Sequence, residues 1–440
     1  MVTENSKLDS IIPLTIALGV MLSPESLIIL GNSVGSAGDL FLVFLILAMV
    51  AHFLTVLSYS EMFALQSARL TEVFLVKQAL GSIPAAVLPL SSKVMFVICA
   101  STGILATAGY VFNEVFVYWF PNLGFSFCLL GVVLVINLLG RKVATTAQII
   151  LMSATVLGLI FLSFAGYLKL SSAPEVASAV NPLSAGFTRV AFIGLFLFVG
   201  HELAIVARKD REEKKWRLAL PLVFGIGLIG VVFAAWSLIS LAYVSSARLA
   251  DTTIPHMIAA RSILGQNGRI VMGIVVIAGT LSAVNGLLFA VSRMLGHLAQ
   301  EGFLPFFSGG ELDRPVGGLI VLTVGVAAMM GLGMAGEPVL EVYTRASLLF
   351  WLLSYAAVHL AVIMVRKKYP GQRSQIVRSQ TAAVIGFLGM STGFAGLLWT
   401  DPESAQVMKF MVTVFVILSI ISFAWRALKR KQKSSITIKI

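Results

Sequence analysis

Two glutamates stand where glutamate is costly. Glu25 lies in Ser23-Pro24-Glu25-Ser26, between the apolar runs Leu14–Leu22 and Leu27–Leu30. Glu202 closes Phe198-Val199-Gly200-His201-Glu202, in another apolar run. A carboxylate inside a bilayer carries a penalty of a few kcal/mol unless it meets a partner, water or a proton. It can therefore hold an ammonium group, help ligate a small cation, or exchange a proton. Each acid comes with a helix breaker. Pro24 lacks a backbone donor and clashes with the preceding turn, and Gly200 adjoins His201, an imidazole that titrates near neutral pH when unperturbed. A helix broken at such points leaves N–H and C=O groups aimed at the membrane midplane, where irregular backbone is tolerated only if it lines a cavity. Ser23, Glu25, Ser26, Phe198, Gly200, His201 and Glu202 are the candidate substrate-binding residues on this reading. Arg208 and Lys209, just beyond Glu202, are alternative partners for that acid.

The elements that must position them are membrane helices. The chain is 58% hydrophobic and 12% charged, with a mean hydropathy of +0.95, which excludes a soluble domain of this length. Twelve spans of roughly 20 residues are expected, near 10–33, 39–63, 92–118, 124–140, 145–168, 186–207, 217–244, 269–297, 316–336, 339–365, 380–400 and 406–427. No cleavable signal peptide is expected. With both termini on the cytoplasmic side, 25 of the 32 basic residues fall on that side, Lys93 and the stretch Arg208–Arg217 among them. This asymmetry sets the orientation and accounts for the net charge of +12 without nucleic acid. A lipid role for the tail Lys429-Arg430-Lys431-Gln432-Lys433 is the lesser alternative. Cys99 and Cys128 fall in apolar segments and read as small hydrophobes. The outer connection near 245–268 and the inner loop 298–315, with Gly302, Pro305 and Pro315, are gates or plain connectors. Glu341 and Arg345 are spaced for an i,i+4 pair.

The two breaks lie five spans apart, the separation expected of two inverted five-helix repeats. Four stretches then carry a resemblance over nearly the whole chain: Asn285-Gly286 with Ser292-Arg293 and Ala299-Gln300-Glu301-Gly302-Phe303-Leu304-Pro305; Asn137-Leu138-Leu139-Gly140-Arg141-Lys142 with Gln148; Ser58-Tyr59-Ser60-Glu61-Met62; and Phe198-Val199-Gly200-His201-Glu202. In this order they resemble the amino acid–polyamine–organocation superfamily of secondary transporters. The resemblance implies an all-α, LeuT-like fold: a first repeat over 1–168 broken near 23–26, a second over 186–365 broken near 199–202, and two extra helices with a basic tail over 380–440. It also implies alternating access and a small substrate that is an amine or amino acid, in a cell inner (plasma) membrane.

The departures are informative. Relatives carry Gly-Ser-Gly-Ile-Phe in the first helix, and Ser23-Pro24-Glu25 stands over Gly-Ser-Gly here. Those glycines let backbone N–H groups approach a substrate carboxylate. Pro24 has no N–H, and an ionised Glu25 repels a carboxylate, so either the substrate lacks one there or Glu25 is protonated when it binds. The aromatic gate after the sixth-helix glycine is His201. Some relatives have a lysine in the fifth helix in place of sodium; that position aligns with Thr155. No cofactor is implied beyond a coupling ion, Na+ or H+. Sodium would be held by Thr155, Ser282 and carbonyls around Leu22; a proton would be carried by Glu25 or Glu202. Phe196, Phe198, Tyr110 and Trp236 are aromatic gate candidates.

Three other classes compete. A six-plus-six transporter would show a long central loop and a different second loop, where Gln66-Ser67-Ala68-Arg69 stands. An enzyme would need clustered acids or metal ligands, yet His52, His201, His256, His297 and His359 are scattered along the sequence. A channel or regulator sharing the fold is the third.

Overall fold

The computed structural model describes residues 2–65, 71–172, 185–206, 219–304, 315–368 and 380–437, and among those residues it has helices and no strand. In chain order the helices are α1 (Val2–Met21), α2 (Pro24–Ala37), α3 (Leu40–Leu65), α4 (Thr71–Leu80), α5 (Ser82–Pro89), α6 (Met95–Val115), α7 (Asn122–Leu138), α8 (Arg141–Leu168), α9 (Ala185–Ile193), α10 (Leu203–Val206), α11 (Ala219–Tyr243), α12 (Ser246–Ala250), α13 (Pro255–Gln300), α14 (Val316–Gly331), α15 (Pro338–Lys368), α16 (Thr381–Thr400) and α17 (Ser404–Thr437). A π-helical turn, Leu90–Val94, joins α5 to α6, and a 3-10 turn, Gly194–Phe198, follows α9.

Among the described residues, nine helical segments are long and apolar enough to cross a membrane, and the bent pair α1–α2 makes ten. α7 and α14 occupy two further expected positions but have 17 and 16 residues. At 1.5 Å per residue each is about 25 Å long, short of a hydrocarbon core of about 30 Å. The third expected span starts too late in the sequence reading: the helix runs from Ser82 through the π-turn to Val115, so Lys93, at the edge of the expected span, lies well inside the observed one. The outer surface shows apolar side chains typical of lipid contact, such as Leu47, Leu157, Phe164, Val231 and Phe423.

α13 and α15 run through the interior, with most of their membrane-depth residues buried. Their polar side chains are tied to neighbours. Asn285 Nδ2 donates to Gln148 Oε1 at 2.8 Å, and Asn137 Nδ2 donates to Asn285 Oδ1 at 2.8 Å. Gln148 Nε2 donates to the Thr15 carbonyl and to Ser282 Oγ, both at 3.0 Å. One chain of amides therefore joins α7, α13, α8 and α1, and two of the family-like stretches supply it.

The outer connection packs onto α2. Gly31 and Gly35 lie one turn apart, and a Cβ on either would collide: with the Pro255 ring at Gly31, and with the α12 backbone at Ser246 and Ala250 at Gly35. The Asn32 amide, oriented so that its bonds are satisfied, donates to the carbonyls of Leu249 and Thr252 at 3.0 Å. α13 is kinked at Gly265, whose φ of 62° separates a short first segment from the spanning one.

Asn285→Ala removes the centre of the amide chain and leaves Gln148 and Asn137 each short of a partner. Its expected cost is about 1–3 kcal/mol, read as a lower thermal unfolding midpoint of the detergent-purified protein. An unchanged midpoint would show that the chain contributes nothing to stability.

Candidate functional site

The first break falls at Leu22–Ser23, where α1 and α2 meet at 49°. Pro24 is the first residue of α2, the one helical position where a missing N–H costs nothing. Ser23 caps the new helix: its Oγ accepts from the Ser26 N–H at 3.2 Å and lies 3.0 Å from Ser26 Oγ. Glu25 follows in the first turn, where the helix dipole favours an anion. Its side chain is half-buried and makes no hydrogen bond among the described residues; Glu341 and Arg345 of α15 are the charges within electrostatic reach. The Glu341–Arg345 pair is present at 3.5 Å and belongs to a larger group, in which Arg345 also meets Asp401 at 2.9 Å and Glu403 at 2.5 Å, and Arg189 meets Asp401 at 3.7 Å.

The second break runs from Val199, in extended conformation, through Gly200 at φ 99° to the short helix α10. A side chain at Gly200 would also press on Val20 of α1. The Gly200 N–H donates to Tyr355 Oη at 3.0 Å, and Tyr355 donates in turn to Glu202 Oε2 at 2.6 Å. Trp351 Nε1 donates to Glu202 Oε1 at 2.6 Å. Lys93 reaches the same oxygen at 3.4 Å and Glu72 of α4 at 2.9 Å. Ser354 Oγ donates to Glu72 Oε1 at 2.6 Å. The lysine side chain is 1% exposed, so it is an interior cation and not one of the cytoplasmic-side charges counted from the sequence. Arg208 and Lys209, the alternative partners of Glu202, lie outside the described residues; α15 and Lys93 supply its partners.

Three of the five histidines gather beside this group, although they are far apart in sequence. The His52 and His201 rings meet edge to face at 5.3 Å, and each lies within 5.5 Å of the Tyr355 ring. Thr55 and Ser58 hold His359 at 3.1 and 2.8 Å. Phe198 is fully buried against His52 and Phe233. Below Glu202 lies a cavity of about 20 Å³, room for about one water, lined among others by Tyr59, Glu72, Lys93, Glu202 and Met294.

The ion-site candidates are split. The Leu22 carbonyl and the Thr155 hydroxyl both border Gly279, so the fold brings them together, with Thr155 donating to Leu151 at 2.9 Å. Ser282 is engaged by Gln148. Among the aromatic candidates, Phe196 and Trp236 are buried and Tyr110 is 43% exposed. Pro305 and the residues after it up to 314 lie outside the described residues, as do the side chains of the basic tail. Sequence reasoning missed Lys93, Glu72, Trp351 and Tyr355. Lys93 carried a signal, a cation within the apolar run from Val87 to Cys99; the other three carried none.

A helical bundle with two interrupted helices, the second packed by Gly200 against Val20 of the first, has the LeuT-like fold. A crystal structure of a mutant manganese transporter from Eremococcus coleocola superposes with a TM-score of 0.62, over 95% of this chain and 92% of that one, at 14% identity. The amino acid permease family pattern matches residues 14–423, and the chain belongs to that family, within the amino acid–polyamine–organocation superfamily. It is similar to the inner membrane transport protein YbaT of Escherichia coli K12, 25% identical over 289 residues, 63% of each chain. It is also similar to amino acid transporter protein 6 of Caenorhabditis elegans, 23% identical over 241 residues, 52% of this chain and 45% of that protein. The match thus spans less than two thirds of either relative.

Tyr355→Phe removes a donor from Glu202 and the acceptor of the Gly200 N–H. The expected loss is about 1–3 kcal/mol, measured as a fall in thermal midpoint, with faster hydrogen exchange at the amides of 199–203. Exchange as slow as in the unaltered protein would show that Tyr355 does not hold the break.

Proposed function

We propose that the protein is a secondary active transporter that moves a small amine-bearing solute by alternating access, the solute lying between the breaks at Ser23–Ser26 and Phe198–Glu202, one in each five-helix repeat. The observation that carries this reading is the way α2 begins. Of the amides that would greet a substrate carboxylate, Pro24 has none and the Ser26 N–H is taken by Ser23. What α2 offers instead is the Glu25 carboxylate, without a hydrogen-bond partner among the described residues. A cation suits that end better than an anion, which favours an amine, or an amino acid bound through its amino group. Glu202 is less suited to meet the solute, because Lys93, Trp351 and Tyr355 already satisfy both its oxygens.

On coupling, the pair Leu22–Thr155 supports a sodium ion weakly, since Ser282 serves Gln148. A proton carried by Glu25, which has no hydrogen-bond partner among the described residues, is the driver this reading favours. The plasma membrane, with both termini cytoplasmic, is the setting the basic-residue asymmetry supports.

Uptake of labelled amines and amino acids into proteoliposomes, with an imposed pH or sodium gradient, tests the reading. The expected outcome is saturable uptake in which an amine outcompetes the corresponding amino acid. Glu25→Gln should weaken binding of that amine about tenfold, the equivalent of about 1.4 kcal/mol. A chain that neither binds nor moves any amine or amino acid is not this transporter.

A further inference from the structure

We propose that α16 sets the position of the outer half of the sixth helix, and with it of Phe198 and Gly200, with Gly393 and Gly396 as the positioning residues. Their effect on a solute rests on the transporter reading; the placement of the half-helix does not.

The outer half of the sixth helix cannot place itself. It consists of α9, nine residues long, and the five-residue 3-10 turn Gly194–Phe198. A helix that short is marginal on its own, and 3-10 hydrogen bonds are poorer than α-helical ones. At its inner end Val199 is extended, so no helical continuity ties it to α10. Its neighbours must fix both its height in the bundle and its rotation.

α16 does so along one line. Arg189, Phe192 and Leu195 follow one another at three-residue steps, and they meet α16 in reverse order, at Asp401, Gly396 and Gly393. The two helices therefore run antiparallel here. A Cβ on Gly393 would collide with Leu195 Cδ1, and one on Gly396 would fall among three atoms of the Phe192 ring, the nearest at 2.5 Å. Each glycine is thus a recess filled by one side chain of the half-helix, and packing this close leaves no slack for a shift. One turn further inward, the next residue on the buried face of α16 is Met390, which offers Leu195 no recess. Asp401 ends the line as a fixed point. Its side chain is 4% exposed, meets Arg345 at 2.9 Å and Arg189 at 3.7 Å, and accepts from the Glu403 N–H at 2.9 Å. α16 is itself mounted, since Gly386 lies against the His359 ring of α15, which Thr55 and Ser58 of α3 hold in place.

α3 holds the other side of the turn. His52 Nε2 donates to the Leu195 carbonyl at 2.9 Å. One helical turn before His52, Ala48 Cβ lies 3.4 Å from the point where a Cβ on Gly194 would stand. Leu195 is therefore held twice, by its side chain in α16 and by its carbonyl on α3. It stands three residues before Phe198 and five before Gly200, so a displacement at Leu195 reaches the break with little chain between to absorb it. Contact groups displaced by a fraction of their working distance bind less well, which makes the recess at Gly393 a determinant of the site as well as of the packing.

Hydrogen exchange over 192–203 and solute binding, both measured on the full purified chain, provide the test. The labelled amines and amino acids of the uptake assay serve as probes, isobutylamine and valine among them. Gly393→Val fills the recess; it should speed exchange at 195–200 about tenfold and weaken binding about tenfold. Leu195→Ala empties the recess and should do both to a smaller degree, about threefold. The two changes together conserve volume and should bring exchange and affinity back toward those of the unaltered protein. Gly389→Val is the control: the same change on the same helix, at a glycine with nothing within 4 Å of its missing side chain, should alter neither. Single variants that lower the thermal midpoint but leave exchange and affinity as they were overturn the proposal, and so does a double variant no better than Gly393→Val. Should Gly393→Val fail to fold, Leu195→Ala and the double variant decide, and exchange unchanged in the first or uncorrected in the second overturns the proposal equally. Exchange that follows this pattern in a protein that binds none of the probes keeps the α16 mount and loses the transporter assignment. Binding that stays constant while exchange changes keeps the transporter and removes α16 from its site.

Discussion

The interior of this bundle is organised around the Glu202 carboxylate. Nothing in lipid can solvate it, so the protein must. It does so with an indole, a phenol and an ammonium drawn from two different helices. The phenol has a second task, receiving the Gly200 N–H that the broken helix leaves over. A break in a membrane helix stands only if its stray backbone groups find partners inside the protein, and here the partner is also a donor to the nearest buried charge. The positions of α15 and of the helix bearing Lys93 follow from that requirement as much as from apolar packing.

The first break is built on a different principle. Ser23 and Pro24 meet the demands of a helix start within a few residues, by a side-chain cap and by placing proline where no donor is needed. It therefore needs no partner from another helix, and Glu25 remains uncommitted. One break is held from outside and the other from within, which is why the two acids, alike in the sequence, have unlike surroundings.

Much of this is legible in the sequence. Apolar length places the helices, and the coincidence of acid and helix breaker locates both interruptions. Asn137, Gln148 and Asn285, from two of the quoted stretches, prove to be one connected chain of amides. What is hidden depends on contacts between residues far apart in sequence. His52, His201 and His359 look scattered because α3, α15 and the sixth-helix break are distant along the chain and adjacent in space. Lys93 reads as a cytoplasmic-side charge when the third span is started at 92, and hydropathy averages give no weight to a cation whose partners lie on α4 and the sixth helix. Ser282 reads as an ion ligand since its type is right; that its hydroxyl accepts from Gln148 is known only from the fold.

The amide chain has a further effect on how the molecule can move. It fastens the Thr15 carbonyl of α1 to α8 and α13, while α2, beyond the Leu22–Ser23 joint, is fastened to the outer connection at Gly31 and Gly35. One half of the bent helix thus has a fixed mount and the other carries a load. With 14 residues, α2 is a lever arm of about 21 Å. A swing of about 10° at its pivot carries the far tip, and with it α12 and Pro255, through about 4 Å.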